Sequence, residues 1–540
     1  MRIGTARQLL GACVLAAGVF ATPALAEDAT YIGIGEVHGV QNVVPVEWLP
    51  ALGVDAAQAK GQGVVDELGQ LLGARMESPN LQIIVAANEG SEIFTLIVDH
   101  AGARQTYALT RVNVTIKDAF TVRGRIVGDG IEETFRLVLP DATKVDGDKD
   151  MVLPLGGNGI DVACSRLGLN SSGCGDDFAY YGTANGLRAF SMATTSCNIG
   201  NVEAEWISGS GARHPLIAQN LFQLVDGKFL HIGQSWLKHS FCAVSENTCG
   251  DCQGTDCDTL GIGCADTYWA TLNDGQDGGA KSDILTFTPG NTHTHPYTTP
   301  NNGPTAIRGR LQVHDSDILN GGLFFAEAQY VTHDEPLNNR WNNASWRAVN
   351  VGLTSMSGVA GCQSSVNFLE PAIRAWEDNG ATVREVTTPQ EGADVLLGYT
   401  VNDNGDGTWT YVYAIQNLNS ERSVGSFQIP IPDCANITNV GFHDVDYHSG
   451  EPYDATDWSV STDGGFVRWE TEDHGQNSMA NAIRWGTMYS FWFDADMAPG
   501  TTSGTLGMFV PATLNTVNTF VDAPFGNSSP TPTTSVSEMK

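Results

Sequence analysis

The sequence predicts a mainly β protein: a disulfide-rich β middle domain, a C-terminal antiparallel β-sandwich, and a small N-terminal α+β or β domain. Short runs of Val, Ile, Thr, Tyr, Phe and Trp that alternate in polarity recur from about residue 81 to residue 522, bounded by Gly, Asn and Asp. The 61 Gly and 22 Pro in 540 residues supply turns and leave little room for long helices. Most of the 11 Cys crowd between Cys164 and Cys264, where hydrophobic periodicity is weak and covalent links are expected to stabilise the fold.

Residues 1–26 place Arg2 and Arg7 before an apolar stretch, Leu9 to Phe20, and end in Ala24-Leu25-Ala26. This is the pattern of a secretory signal peptide, so the chain is expected to be secreted, extracellular or periplasmic. Residues 27–145 form the N-terminal domain. Asp55 to Met76 carries Val64, Val65, Leu68, Leu71 and Leu72 at helical spacing and is its expected helix. Leu81 to Ala87, Glu92 to His100, Gln105 to Ile116 and Thr121 to Leu139 read as strands, with Gly128-Asp129-Gly130 as a hairpin turn. Asp146, Asp148 and Asp150 form an acidic seam, read as a solvated linker in preference to a calcium loop because no bidentate Glu closes it.

Residues 151–370 are the cysteine-rich β domain. Residues 380–522 alternate strongly, as in Trp409-Thr410-Tyr411-Val412-Tyr413, and read as the sandwich. Asn402, Asn404, Asp406 and Gly407 imitate the start of a calcium loop, but strand patterns flank them and the segment reads as a hairpin turn. Residues 523–540, rich in Ser, Thr and Pro, read as a disordered tail.

Ten Cys follow the signal, an even number in a chain bound for an oxidising compartment. Disulfides are therefore expected, with Cys164–Cys174 and Cys362–Cys434 as the first candidates; a zinc site built on Cys249-x-x-Cys252 is the alternative. Lys and Arg total 28 against 61 Asp and Glu, a net charge of −33 with no basic stripe. Phosphate backbones need Lys and Arg to displace counterions, so no nucleic-acid partner is expected. No apolar run of bilayer-spanning length follows the signal, and no membrane insertion is expected.

Several long phrases resemble one group of proteins. Among them are Thr194-Thr195-Ser196-Cys197-Asn198-Ile199-Gly200, His214-Pro215-Leu216-Ile217-Ala218-Gln219-Asn220, Gln234-Ser235-Trp236-Leu237-Lys238-His239, Phe442-His443-Asp444-Val445-Asp446-Tyr447-His448 and Asn481-Ala482-Ile483-Arg484-Trp485-Gly486-Thr487. From about residue 156 to 510 the chain resembles an uncharacterised group of secreted, multidomain, β-rich proteins of planctomycetes and related aquatic bacteria. The resemblance implies export and a β-rich fold, and no activity.

His214 to His239 forms two alternating runs around Val225-Asp226-Gly227-Lys228, a strong hairpin signal. A two-residue turn sets His214 opposite His239; a three-residue turn with a bulge sets it opposite Lys238. Opposed side chains lie about 4.5–5.5 Å apart at Cβ, within reach of a shared substrate proton or metal. The catalytic candidates are therefore His214 or His239 for proton transfer, Lys238 to neutralise an acidic substrate group, and Asp266 or Tyr268 as a partner; the alternative is a structural pair bonded to backbone. A period of two places Asp444, Asp446 and His448 on one face, a set that would take calcium or another divalent metal; the alternative is turn capping. His293-x-His295 lies in a polar loop and reads as adventitious.

No nucleophile elbow, zincin helix, phosphate loop, dinucleotide fingerprint or haem-attachment motif occurs. The functional expectation is an exported protein acting on extracellular polymer, a polysaccharide-directed enzyme with its site in the middle domain. The alternative is a non-enzymatic surface, matrix or carbohydrate-binding adhesive protein, whose glycan partner would stack on some of the 12 Trp.

Overall fold

The computed structural model describes residues 159–207, 213–239, 242–275, 278–286, 298–360, 365–447 and 449–525, together with the backbone of ten strands between residues 34 and 139. The signal segment 1–26, the Asp146–Asp150 seam, His293, His295, Cys362, His448 and the end of the tail from 526 lie outside the described residues.

The N-terminal strands pair into two five-stranded antiparallel sheets. Ile131 pairs with Gly128, so the Gly128-Asp129-Gly130 turn is where the sequence places it. The expected helix is not formed where it is described: Val64–Val65 and Leu71–Ser78 are strands, the latter paired with Leu81–Ala87. Gly73 interrupts the helical reading at a cost of about 1 kcal/mol, and after it Ala74, Met76 and Ser78 alternate as a strand requires.

The middle region is mainly β. A ten-stranded antiparallel sheet contains Phe178–Ala184, Leu187–Met192, Leu311–His314, Lys228–Gln234, Leu216–Val225, Leu323–Val331, Ala344–Gly352 and Ser355–Gly358, in that spatial order. A three-stranded sheet, Val162–Leu167 with Thr194–Asn198 and Ala265–Tyr268, packs against one face through Val162, Leu221, Ala326 and Tyr330.

Cys197–Cys249, Cys242–Cys257 and Cys252–Cys264 staple the weakly periodic segment from residue 242 to 264, as its composition predicts. Cys249 and Cys252 belong to separate disulfides, which removes the zinc reading. Both expected pairings are corrected. Cys164 is a free thiol buried among Val162, Leu167 and Tyr330, whereas Cys174 sits on an exposed turn and is disulfide-bonded elsewhere. Cys434 is also free, on the exposed turn after Pro432, so it forms no bridge to Cys362.

The C-terminal region is an antiparallel sandwich of two five-stranded sheets. One has the spatial order Thr382–Thr387, Asp394–Asp403, Trp409–Asn417, Thr487–Ala495, Ile437–His443; the other has Ser459–Ser461, Phe466–Glu470, Val424–Pro430, Pro499–Met508, Thr516–Pro524. Tyr411, Tyr413, Phe491 and Phe493 from the first meet Phe427, Trp469, Leu506 and Val521 from the second. Asp403 pairs with Trp409 across the Asn404–Thr408 connection, confirming a hairpin in place of a calcium loop.

The strand Trp409–Asn417 is buried on both faces from Tyr411 onward. Its odd positions fill the sandwich, while Val412 and Ala414, with Met488 and Leu396, pack on Phe222, Phe229, Phe325, Trp346 and Trp376. The ten-stranded sheet and the sandwich therefore share an apolar layer. Hydrogen bonds also cross it: Met488 N–H donates to His231 Nδ1 at 3.1 Å, and the Ser490 hydroxyl to the Phe229 carbonyl at 2.5 Å.

Candidate functional site

The histidine hairpin forms, with a register that changes along its length. Asp226 (φ 49°) and Gly227 (φ 73°) both adopt left-handed backbone, as a two-residue type I′ turn requires, and Val225 pairs with Lys228. Beyond Phe222–His231 the residue Ile232 bulges, so Leu221 pairs with Gly233 and Asn220 with Gln234. Gly233 tolerates no side chain there, since a Cβ would come within 2.5 Å of the Gln312 carbonyl. After a break at Ser235–Leu237, Leu216 pairs with His239 and Ile217 with Lys238. Neither expected partner lies directly opposite His214. The rings of His214 and His239 nonetheless meet, with centroids 4.8 Å apart and a tilt of 57°. His214 is fully buried, and Lys238 and His239 are half-buried.

Asp266 and Tyr268 lie on Ala265–Tyr268, opposite Ser196 and Thr194. The Asp266 carboxylate accepts the Trp206 indole N–H and the Val244 N–H, both at 3.0 Å, and burial pushes its pKa up to about 7. Tyr268 packs in the middle core. Of the proposed metal ligands, Asp444 accepts a hydrogen bond from Asn481 at 2.5 Å, while Asp446 lies 2.6 Å from His314 Nε2. The strand ends at His443, so the expected alternation stops before either carboxylate and each takes a different partner. Among the described residues, no group of three or more His, Cys, Asp or Glu side chains is placed to hold a metal.

Sequence reasoning missed a cleft of about 350 Å3 on the sandwich, beside the edge strand Ser459–Ser461. None of His214, Lys238, His239, Asp266 and Tyr268 lines it. Asp454, Asp457, Glu470, Glu472 and Asp473 supply carboxylates; Gln476, Asn477 and Asn481 supply amides; Thr456, Ser459 and Thr471 supply hydroxyls.

Several of these groups are oriented by local bonds. Asp454 Oδ1 accepts the Thr456 N–H at 2.8 Å and its hydroxyl at 2.5 Å, which holds the carboxyl below its usual range. Asn477 Nδ2 donates to Glu472 at 2.9 Å and to Asp454 Oδ2 at 3.4 Å. Asn481 is fixed by Tyr489, whose hydroxyl donates to Oδ1 at 2.5 Å, while its own amide binds Asp444. Burial pushes Asp444 up, opposite to Asp454. Arg468 pairs with Glu470 at 2.6 Å. Such a wall of oriented acceptors can bind hydroxyls or amines. The density of acids in Glu470-Thr471-Glu472-Asp473 and Asp454–Asp457 was the available signal.

No protein-family model matches the chain, and the curated proteins contain no significant match to it.

Proposed function

We propose that this is an exported, non-enzymatic protein that binds extracellular polysaccharide through the acidic cleft of its C-terminal sandwich. The single observation that carries the reading is the convergence of five carboxylates and three amides on one open cleft, with Asp454, Glu472 and Asn481 held by local bonds. A cleft of that charge repels anionic polymers and favours sugars carrying hydroxyls and free amines, as in a partly deacetylated amino-sugar polymer.

Export is supported by the signal-like first 26 residues and by disulfides such as Cys197–Cys249, Cys242–Cys257 and Cys252–Cys264, which persist in oxidising surroundings. Among the described residues, no helix is long and apolar enough to cross a membrane. The enzyme reading in the middle domain is weaker because its proton-transfer group must reach a substrate: His214 has no exposed surface, and half-buried His239, like Lys238, Asp266 and Tyr268, does not line the cleft. Stacking by Trp contributes little to either reading: Trp206, Trp346, Trp376 and Trp469 are core residues, Trp269 is 56% exposed, and no Trp lines the cleft. The test is titration of the full chain with a chitosan oligosaccharide, with reducing ends assayed in the same sample.

A further inference from the structure

Between the ten-stranded sheet and the sandwich lies a polar cluster in apolar surroundings. Register places Asn220 beside Glu327 on one neighbouring strand and beside Gln234 on the other. Lys281 joins them from the short 3-10 turn Lys281–Asp283. Asn220 and Glu327 are fully buried, and Lys281 is 3% exposed. Lys281 Nζ donates to Asn220 Oδ1 at 3.1 Å, to Gln234 Oε1 at 3.1 Å and to the Gly486 carbonyl at 3.0 Å. Asn220 Nδ2 donates to Glu327 Oε1 at 2.8 Å. The other Glu327 oxygen, Oε2, accepts the Ala372 N–H at 2.6 Å and the Gln416 amide at 2.8 Å.

We propose that Lys281 and Asn220 become joined by an intramolecular isopeptide bond, formed by the folded chain itself with Glu327 as the proton-transfer group. The amine lone pair of neutral Lys281 attacks Asn220 Cγ, and the carbonyl π pair moves onto oxygen. That pair returns as the Cγ–Nδ2 bond breaks. Glu327 gives its proton to the departing nitrogen and recovers one from Nζ. The products are a Cγ–Nζ amide and one ammonia, and no oxidant, reductant or further reactant enters.

Three requirements of this reaction are met in the fold. The first is proximity: a carbonyl bond of about 1.23 Å puts Cγ no more than about 4.3 Å from Nζ, and a reaction within one rigid site gains a large effective molarity. The second is protonation state. Burial lowers Lys281 to about 8 and raises Glu327, so the neutral amine and the acid that the step needs are each easier to reach than in water; the reacting amine gives up the Nζ–H that donates to Asn220 and keeps those to Gln234 and Gly486. Because Oε2 already accepts two donors, a proton on Glu327 resides on Oε1, the oxygen facing the leaving group. The third is exclusion of water, which would otherwise hydrolyse the amide; the apolar groups around Phe222 and Met488 and around Leu216 and Trp485 flank the cluster. In the product, the remaining Nζ–H still has Gln234 and Gly486 as acceptors.

Peptide mapping of the purified full-length protein, reduced and digested with trypsin, tests this directly. The expected result is a branched peptide joining the Asn220 and Lys281 segments, uncleaved at Lys281 and lighter than the sum of its parts by one ammonia, about 17 Da. Glu327→Gln, which keeps the shape of the side chain, should return both segments as linear peptides of full mass. A wild-type map in which Asn220 and Lys281 occur in separate, unaltered peptides overturns the proposal, and so does an ammonia loss found only as a cyclised Asn in a linear peptide. That wild-type result decides even if Glu327→Gln does not fold. A branched peptide that persists in folded Glu327→Gln overturns the role given to Glu327.

Discussion

His231 of the middle sheet accepts the Met488 backbone N–H of the sandwich on Nδ1 at 3.1 Å, while its Nε2 lies 3.0 Å from the Gly233 carbonyl. A buried imidazole with both nitrogens engaged ties the two layers at the point where Phe229 and Trp376 stack. The sandwich is therefore expected to be impaired when cut free. A fragment spanning 380–525 should expose Val412, Ala414 and Met488, bind a hydrophobic dye and self-associate on gel filtration, unlike the full chain. A monomeric fragment with no dye binding would show that the shared layer is dispensable. In the full chain, Trp376→Ala should cost about 3–5 kcal/mol in denaturant unfolding.

The pH dependence of stability should contain two opposing parts. Burial holds His231 well below 6.5, so the unfolded state binds more protons and this contribution is lost as the pH falls below about 6.5. Burial raises Asp266 from 3.8 to about 7, so the folded state binds more protons between those values and stability falls as the pH rises across that window. Asp266→Asn should therefore make unfolding free energy rise more steeply with pH between about 4 and 7, and His231→Gln should flatten it. Urea titrations at a series of pH values measure both slopes; an unchanged slope in Asp266→Asn contradicts the assigned cause.

The free thiols should differ in reactivity. Cys434 is exposed, whereas burial pushes the Cys164 thiol up to about 12. Iodoacetamide should label Cys434 in the native protein and reach Cys164 only after unfolding. Labelling Cys164 at a comparable rate without denaturant would contradict its placement in the core.

Much of the fold was legible because period-two alternation and turn residues are local signals. The Asp226-Gly227 turn, the hairpin at Asp403–Trp409 and the sandwich strands all follow from them. The register at His214 was not legible, because the Ile232 bulge and the break at Ser235–Leu237 depend on what packs alongside, including the Gln312 backbone against Gly233. Cysteine pairing failed for the same reason: even spacing says nothing about Cys164 facing a core. The Lys281–Asn220–Glu327 cluster draws on segments 61 and 107 residues apart, and no local pattern announces it.

A structural role for the histidine pair, proposed in place of a catalytic one, predicts that His214→Ala destabilises the protein by about 1–3 kcal/mol and that His239→Ala costs less, since His239 is half-buried. Neither substitution should alter polymer binding in folded protein. Thermal unfolding of both variants, with binding measured on the same preparations, checks this; loss of binding without loss of stability would return the site to the hairpin.

Calorimetric titration of the full chain with a chitosan hexasaccharide, compared with the double variant Asp454→Asn and Glu472→Gln, tests the central claim most directly. The predicted result is saturable binding that weakens with salt, falls about tenfold or more in the variant, equivalent to at least about 1.4 kcal/mol, and releases no reducing ends. Affinity unchanged in the variant, absence of binding by the native chain, or cleavage of the oligosaccharide would contradict it.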